Sequence, residues 1–256
     1  MNMGVICVFV NQKGGVGKTT SAINIGAFMA EAGKTVLLVD FDAQGNLSSG
    51  VGARPPKPGI YELLSGAAKT EQVIKKTAVK NLYAIPASAD LSGAAVELID
   101  EKERNFFLKK ALAPIKNKYD YILIDCPPSL GQLTMNGLAA ADLVLIPMQC
   151  EYFALEGLKQ LLHTTKLVQK GLNPSLKIGG IFFTMYDPRT RLANDVIKDV
   201  SSTYKEMVLN TIIPRNIRLS EAPSHSMPIS LYDRQCPGAR AYCALAQEIL
   251  KRENRG

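Results

Sequence analysis

Val5-Ile6-Cys7-Val8-Phe9-Val10 runs without a polar residue into Asn11-Gln12-Lys13-Gly14-Gly15-Val16-Gly17-Lys18-Thr19-Thr20, and a helix-like stretch follows. A phosphate-cradling loop therefore sits where strand becomes helix. Gly14, Gly15 and Gly17 let backbone N–H groups turn toward an anion, and the following helix presents its positive end. Lys18 adds a cation and Thr19 a hydroxyl suited to magnesium. The chain is expected to bind a nucleoside triphosphate together with Mg2+. The loop departs from the general pattern G-x-x-x-x-G-K-[ST] in having Gln12 where glycine would stand and a second lysine, Lys13, ahead of the paired glycines. That extra cation is the clue to mechanism, weighed against the plainer alternative of a solvated loop lysine.

The 256 residues are 46% hydrophobic and 21% charged, enough for one well-buried core, and a single domain over residues 1–256 is expected. No run approaches the length of a spanning helix, and the phosphate loop follows Met1–Val10 too closely for a signal peptide, so a cytoplasmic protein is expected. Cys7, Cys126, Cys150, Cys236 and Cys243 form no C-x-x-C pair and read as reduced thiols rather than a disulfide or cluster framework. His163 and His225 lack metal spacing. Net charge is +7, and eight of the ten arginines lie in the last 68 residues, where eleven basic side chains face seven acidic ones. Arginine concentrated in this way suggests phosphate contact, with ordinary solvated charge as the alternative.

Nearly continuous apolar, β-branched runs recur at Val5–Val10, Thr35–Asp40, Tyr121–Asp125, Asp142–Pro147 and Ile178–Thr184, as strands buried on both faces should be. Leu82–Ile85 and Val208–Ile213 are weaker strand candidates. Helical patterns fall at Thr19–Ala32, Glu103–Lys116, Leu133–Ala141, Leu155–Lys170, Leu192–Tyr204 and Ala239–Lys251, with shorter ones near Ile60–Leu64 and Leu91–Asp100. The alternation predicts an α/β fold: a mostly parallel, doubly wound sheet with helices on both faces, of the P-loop NTPase kind. Arg54-Pro55-Pro56-Lys57-Pro58-Gly59 reads as a stiff surface loop.

Ligands of such sheets collect at the carboxyl ends of the strands. Two strands there end in acid: Val36-Leu37-Leu38-Val39-Asp40-Phe41-Asp42 and Tyr121-Ile122-Leu123-Ile124-Asp125-Cys126-Pro127-Pro128. A carboxylate after four apolar residues is costly to desolvate unless a cation or donors lie near, and hydrated magnesium provides both. Asp125 is accordingly the candidate for holding the metal through water. The alternative for Asp40 and Asp125 is simple capping of neighbouring helices.

Lys13–Thr20, Asp40-Phe41-Asp42-Ala43-Gln44-Gly45-Asn46, Asp125-Cys126-Pro127-Pro128-Ser129, Glu151–Gly157 and Ile213–Ser224 together resemble the ParA/Soj chromosome-partitioning ATPases over nearly the whole chain. The first motif alone would indicate only the deviant Walker A superfamily, shared with the division-site ATPase MinD and the nitrogenase iron protein. Ala43 departs from the proline usual in the family, which would loosen that loop slightly without removing activity. The resemblance implies an ATP-dependent homodimer in which Lys13 reaches the partner's nucleotide. ATP brings about four negative charges, magnesium offsets two and Lys18 one, leaving about one for Lys13 to match. It implies further that Thr19 binds magnesium directly and Asp125 from outside it, that Asp42 orients or deprotonates the attacking water, and that Pro214 and Asn216 contact adenine. Arg189 and Arg218 fall where the family contacts DNA phosphates, which would make binding to double-stranded DNA non-specific and the protein nucleoid-associated. Arg191, Arg215, Arg240 and Lys251 could extend that face, though Arg215 could instead serve the nucleotide loop. A ParB-like partner would stimulate hydrolysis.

The competing reading is a positioning ATPase like MinD acting on a membrane or a protein cargo, which should end in an amphipathic membrane helix. Here Leu245, Ile249 and Leu250 have helical spacing but the tail ends in charge, so it reads as a helix packed on its own domain, with no membrane partner. An iron–sulfur ATPase would need cysteines facing across a dimer, which these five do not evidently offer. No helix-turn-helix precedes the phosphate loop, so operator binding is not expected.

Overall fold

The computed structural model describes residues 4–97 and 102–253. Seven strands form one sheet: β1 (Val5–Phe9), β2 (Val36–Asp40), β3 (Lys75–Lys76), β4 (Leu82–Ile85), β5 (Tyr121–Asp125), β6 (Leu143–Gln149) and β7 (Lys177–Thr184). Their order across the sheet is β3-β4-β2-β5-β1-β6-β7, all neighbours parallel except the short edge pair β3–β4. The five strong strand readings and Leu82–Ile85 all stand.

Alternation along each strand splits its side chains between two cores. Ile6 and Val8 on β1, Val39 on β2 and Ile124 on β5 join a core covered by the helices Phe107–Leu112, Gln132–Ala140, Ala154–Gly171 and Arg191–Thr203. Cys7, Phe9, Leu38 and Leu123 belong to the opposite core, built against the helices Lys18–Glu31 and Pro237–Glu253. Each fully buried Leu, Ile or Phe contributes about 1.5–3 kcal/mol, so both layers are held mainly by burial. The last helix packs along Lys18–Glu31, burying Tyr242, Leu245, Ala246 and Ile249, and the Tyr242 hydroxyl lies 3.0 Å from Ser21 Oγ. Gly26 permits the approach of Lys18–Glu31 to the sheet, since a Cβ there would come within 2.7 Å of Leu38 Cδ2.

Two readings are corrected. Val208–Ile213 forms no strand; it runs beside β7 with intermittent bonds, Leu209 N to Ile181 O at 2.8 Å and Ile213 N to Phe183 O at 2.9 Å. Its middle is drawn away by Glu248, whose carboxylate accepts the backbone N–H groups of Asn210 (2.6 Å) and Thr211 (2.9 Å). The helix expected at Glu103–Lys116 begins only at Phe107 and becomes a 3-10 turn over Ala113–Lys118. Glu103 sits at φ +64°, outside helical space, and Pro114 cannot donate the helical N–H. Of Leu91–Asp100, Leu91–Glu97 is helical and the remainder lies outside the described residues. The loop around Pro55 and Pro56 is exposed as expected. No helix is long and apolar enough to cross a membrane among the described residues.

Tyr242→Ala removes the largest side chain at the junction of the two long helices. Urea unfolding of the nucleotide-free protein should show a loss of about 3–5 kcal/mol.

Candidate nucleotide-binding site

The loop after β1 leaves the sheet where its neighbours diverge, β5 on one side and β6 on the other. Its shape is fixed by neutral hydrogen bonds from distant strand ends. Thr184 Oγ1 at the end of β7 donates to Val16 O (2.8 Å), Gln149 Nε2 at the end of β6 to Gly15 O (3.2 Å), and Asn11 Nδ2 to Pro147 O (2.8 Å). Gly15 and Gly17 adopt φ +73° and +84°, left-handed values that favour glycine. Gly17 also caps the helix Lys18–Glu31, so the helix N-terminus opens onto the loop.

Gly14, Gly15, Gly17, Lys18, Thr19, Thr20 and Asp42 come together around a cleft of about 400 Å3, with Pro128 and Met185 on its other walls. Val16 is buried behind the loop. Lys18 is buried too, and its ammonium donates to the carbonyls of Asn11 (3.2 Å) and Lys13 (3.1 Å). Burial pulls its pKa down, while the nearby Asp125 and other anionic groups pull it back up. Such an ammonium lacks a full counter-charge, which a triphosphate would supply.

Asp40 and Asp125 end adjacent strands in direct register. Asp125 is buried, and neither carboxylate oxygen has a partner in hydrogen-bond geometry among the described residues. Burial first, then repulsion from Asp40, pushes its pKa to about 8; the Thr19 hydroxyl and the Lys18 ammonium pull the other way. Two orphaned carboxylate oxygens beside Thr19 and Lys18 fit a hydrated cation, since water bound to magnesium would donate to both. Asp40 is different: its Oδ2 accepts from Ser48 N (2.8 Å) and Ser48 Oγ (2.6 Å), at the first turn of the short helix Asn46–Gly50. Helix capping, one of the two readings, thus describes Asp40. Burial raises its pKa to about 6 against these bonds. Asp42, half-buried between them and the cleft, accepts from Gln44 N at 3.1 Å.

Lys13 does not enter this cleft. It lines a separate cavity of about 360 Å3 on the outer side of the loop and pairs there with Glu151, both side chains about half exposed. Pro214 bridges to Tyr186, and Asn216 keeps a buried Oδ1 with no partner among the described residues. Arg189 forms a two-pronged pair with Asp187 (2.9 and 2.6 Å), which holds that carboxyl down at about 2, and Arg218 pairs with Glu221 (2.9 Å) and Asp233 (3.4 Å). Arg215 has an exposed side chain and a backbone N–H bonded to Tyr186 O (3.0 Å). Ser48, Gln149, Thr184 and the pairing role of Glu151 were not legible in the sequence; only the position of Thr184 at a strand's carboxyl end hinted at the site. All five cysteines are free, and no cluster of three or more His, Cys, Asp or Glu suited to a metal occurs among the described residues.

A glycine loop joining a parallel strand to a helix, with a buried lysine and acid-ended strands beside it, defines a P-loop nucleotide-binding α/β protein. Residues 3–178 match the AAA domain family. The chromosome-partitioning ATPase Soj of Treponema pallidum is 64% identical over 98% of this chain and 99% of its own length. The sporulation initiation inhibitor protein Soj of Bacillus subtilis is 53% identical over 96% and 98%. Among solved structures, cobyrinic acid a,c-diamide synthase from Mycobacterium smegmatis, with bound ATP analogue and magnesium, superposes with a TM-score of 0.85 at 39% identity, covering 98% of this chain and 96% of that one. The chain belongs to the ParA/Soj family of chromosome-partitioning ATPases.

Asp125 sets a pH dependence. A carboxyl whose folded value lies near 8, against 3.8 when unfolded, leaves the folded state holding the extra proton between those values. Its contribution to stability therefore worsens as pH rises from about 4 to about 8. Asp125→Asn should raise the melting temperature of the nucleotide-free protein, by an increment that grows over that window in thermal melts at successive pH values.

Proposed function

We propose that the chain is an ATP-gated dimeric ATPase: residues 1–256 act as one unit that pairs on binding ATP, coats double-stranded DNA without sequence preference, and lets go when a ParB-like partner stimulates hydrolysis. The cycle would partition DNA carrying that partner, and the protein would sit on the nucleoid. The observation that carries this reading is the division of labour between two lysines of one loop. Lys18 is buried beside the cleft, whereas the Lys13 side chain faces outward, its ammonium held among the described residues by an exposed pair with Glu151. A surface pair of that kind is worth about 0–1 kcal/mol, so a partner's triphosphate can displace it at small cost.

ATP would lie with its phosphates against Gly14–Thr20 and its base against Pro214 and Asn216, where the orphaned Oδ1 can accept from an adenine amino group. Magnesium would be held by Thr19 directly and by Asp125 through water, and it would supply charge neutralisation at the phosphates. Asp42 would orient or deprotonate the attacking water from its place on the cleft wall. Loss of the γ-phosphate removes the charge that Lys13 of the other copy matches, and with it the reason to stay paired. Arg189 and Arg218 would exchange their carboxylate partners for DNA phosphates in the dimer, where two patches act together.

The deciding experiment is Lys13→Gln, which should bind nucleotide like the wild type yet sediment as a monomer with Mg2+ and ATP; a variant that dimerises normally removes the cross-subunit role. Asp42→Ala should give a trapped ATP dimer with turnover lowered about 10²–10⁴-fold, measured by phosphate release. Arg189→Glu or Arg218→Glu should weaken ATP-dependent DNA retention at low salt and flatten the log–log salt slope by about 0.9 for each DNA phosphate that is no longer neutralised.

A further inference from the structure

We propose that the groove between the helix Ala154–Gly171 and the edge strand β7 docks an acidic peptide segment of a partner protein, one that carries bulky apolar residues between two carboxylates. The inference does not rest on the nucleotide cycle. The groove encloses about 290 Å3, and Leu162, Ile178, Tyr204 and Met207 give it an apolar floor. All four pack against the core beneath them yet stay only partly buried. Lys159, His163 and Lys166 stand exposed along the helical rim. Their three- and four-residue spacing sets them on one ridge, a different face of the helix from Gly157 and Gln160, which line the cavity beside Lys13.

The walls are fixed by hydrogen bonds of the chain itself. Gln169 Nε2 donates to Leu176 O (2.7 Å), tying the helix to the approach to β7. On the other side Met207 N donates to Tyr204 O (2.8 Å) and Ile181 N to Met207 O (2.8 Å), which holds the Tyr204 turn against the sheet edge. A groove formed in advance spares a ligand the cost of ordering it.

Charge selects the occupant. From Gly157 to Tyr186 the chain carries four lysines and no acidic residue. Among the described residues Lys159 and Lys166 form no ion pair, and Glu206, next to Met207, does not line the groove. Unopposed cations above an apolar floor match a ligand that is anionic and apolar at once. DNA phosphates would answer the lysines but leave the floor wet, and a flat bilayer does not reach a concave floor. Lys159 and Lys166 lie two helical turns apart, about 10 Å. A peptide in the polyproline II conformation brings residues i and i+3 onto one face about 9 Å apart, so two acids at that spacing meet the lysines while the residues between them turn to the floor.

Fluorescence anisotropy of a fluorescein-labelled Pro-Asp-Phe-Leu-Asp-Pro peptide with the nucleotide-free full chain tests the assignment. The wild type and Lys80→Glu, which alters an exposed lysine between β3 and β4 at the opposite edge of the sheet, should bind it with a dissociation constant below about 1 mM at low salt. Lys159→Glu/Lys166→Glu should weaken binding about 10-fold or more, and so should Met207→Ser, with thermal melts reporting that each variant is folded. Tyr204→Ser gives the same reading should Met207→Ser not fold. Peptides with both Asp changed to Asn, or with Phe and Leu changed to Ser, should each bind about 10-fold more weakly to the wild type. Absence of binding by the wild type up to 1 mM peptide, undiminished binding by the charge-reversed variant, or undiminished binding of the peptide lacking apolar residues overturns the proposal. So does a charge-reversed variant that loses retention of double-stranded DNA or of phosphatidylserine vesicles while it binds the peptide as the wild type does.

Discussion

The site depends on an electrostatic debt at the end of β5. Asp125 lies fully buried and in register with a second acid, and among the described residues its carboxylate oxygens meet no donor in good hydrogen-bond geometry, although the Thr19 hydroxyl lies near. Burial and that second acid push its pKa upward, toward the protonated form. Lys18, also desolvated, finds only peptide carbonyls. Neither group is satisfied by the protein, and each lacks what the other half of a magnesium–phosphate pair provides. The fold supplies the burial that creates this mismatch, and the proposed magnesium–nucleotide ligand would resolve it.

The loop itself does not wait for that ligand. Thr184, Gln149 and Asn11 hold its backbone through neutral bonds, so its curvature is set by the ends of β6 and β7 rather than by charge. Within this frame the two lysines diverge for a structural reason. The ammonium of Lys18 grips the carbonyl of Lys13, keeping that residue's backbone inward while its side chain leaves on the outer side. One lysine lies buried against the cleft of its own subunit, and the other stays exposed, as the proposed cross-subunit role requires.

Much of this was legible in the sequence because it is local. Parallel strands buried on both faces must be apolar throughout, so β1, β2, β5, β6 and β7 announced themselves, and a glycine loop at a strand's end carries its own chemistry. What escaped was set by groups remote in the chain. The backbone at Asn210 and Thr211 looks strand-forming until Glu248, 38 residues from Asn210, takes its donors. Glu151 lies 138 residues from Lys13, and nothing in either segment names the other. Ser48 is only eight residues from Asp40, yet a hydroxyl that caps a buried carboxylate reads like any serine in a turn. Asn216 was visible only through family resemblance, its buried and unpartnered oxygen only in three dimensions.

The last helix, Pro237–Glu253, works as a strut between the phosphate loop and the segment around Asn216. Through Tyr242 it braces the helix that opens onto the phosphates, and two turns further on Glu248 clasps the segment leading to Pro214 and Asn216. The phosphate loop and the segment proposed to hold the base are thus fastened to the same rod, so a disturbance at the carboxyl-terminal helix reaches both at once.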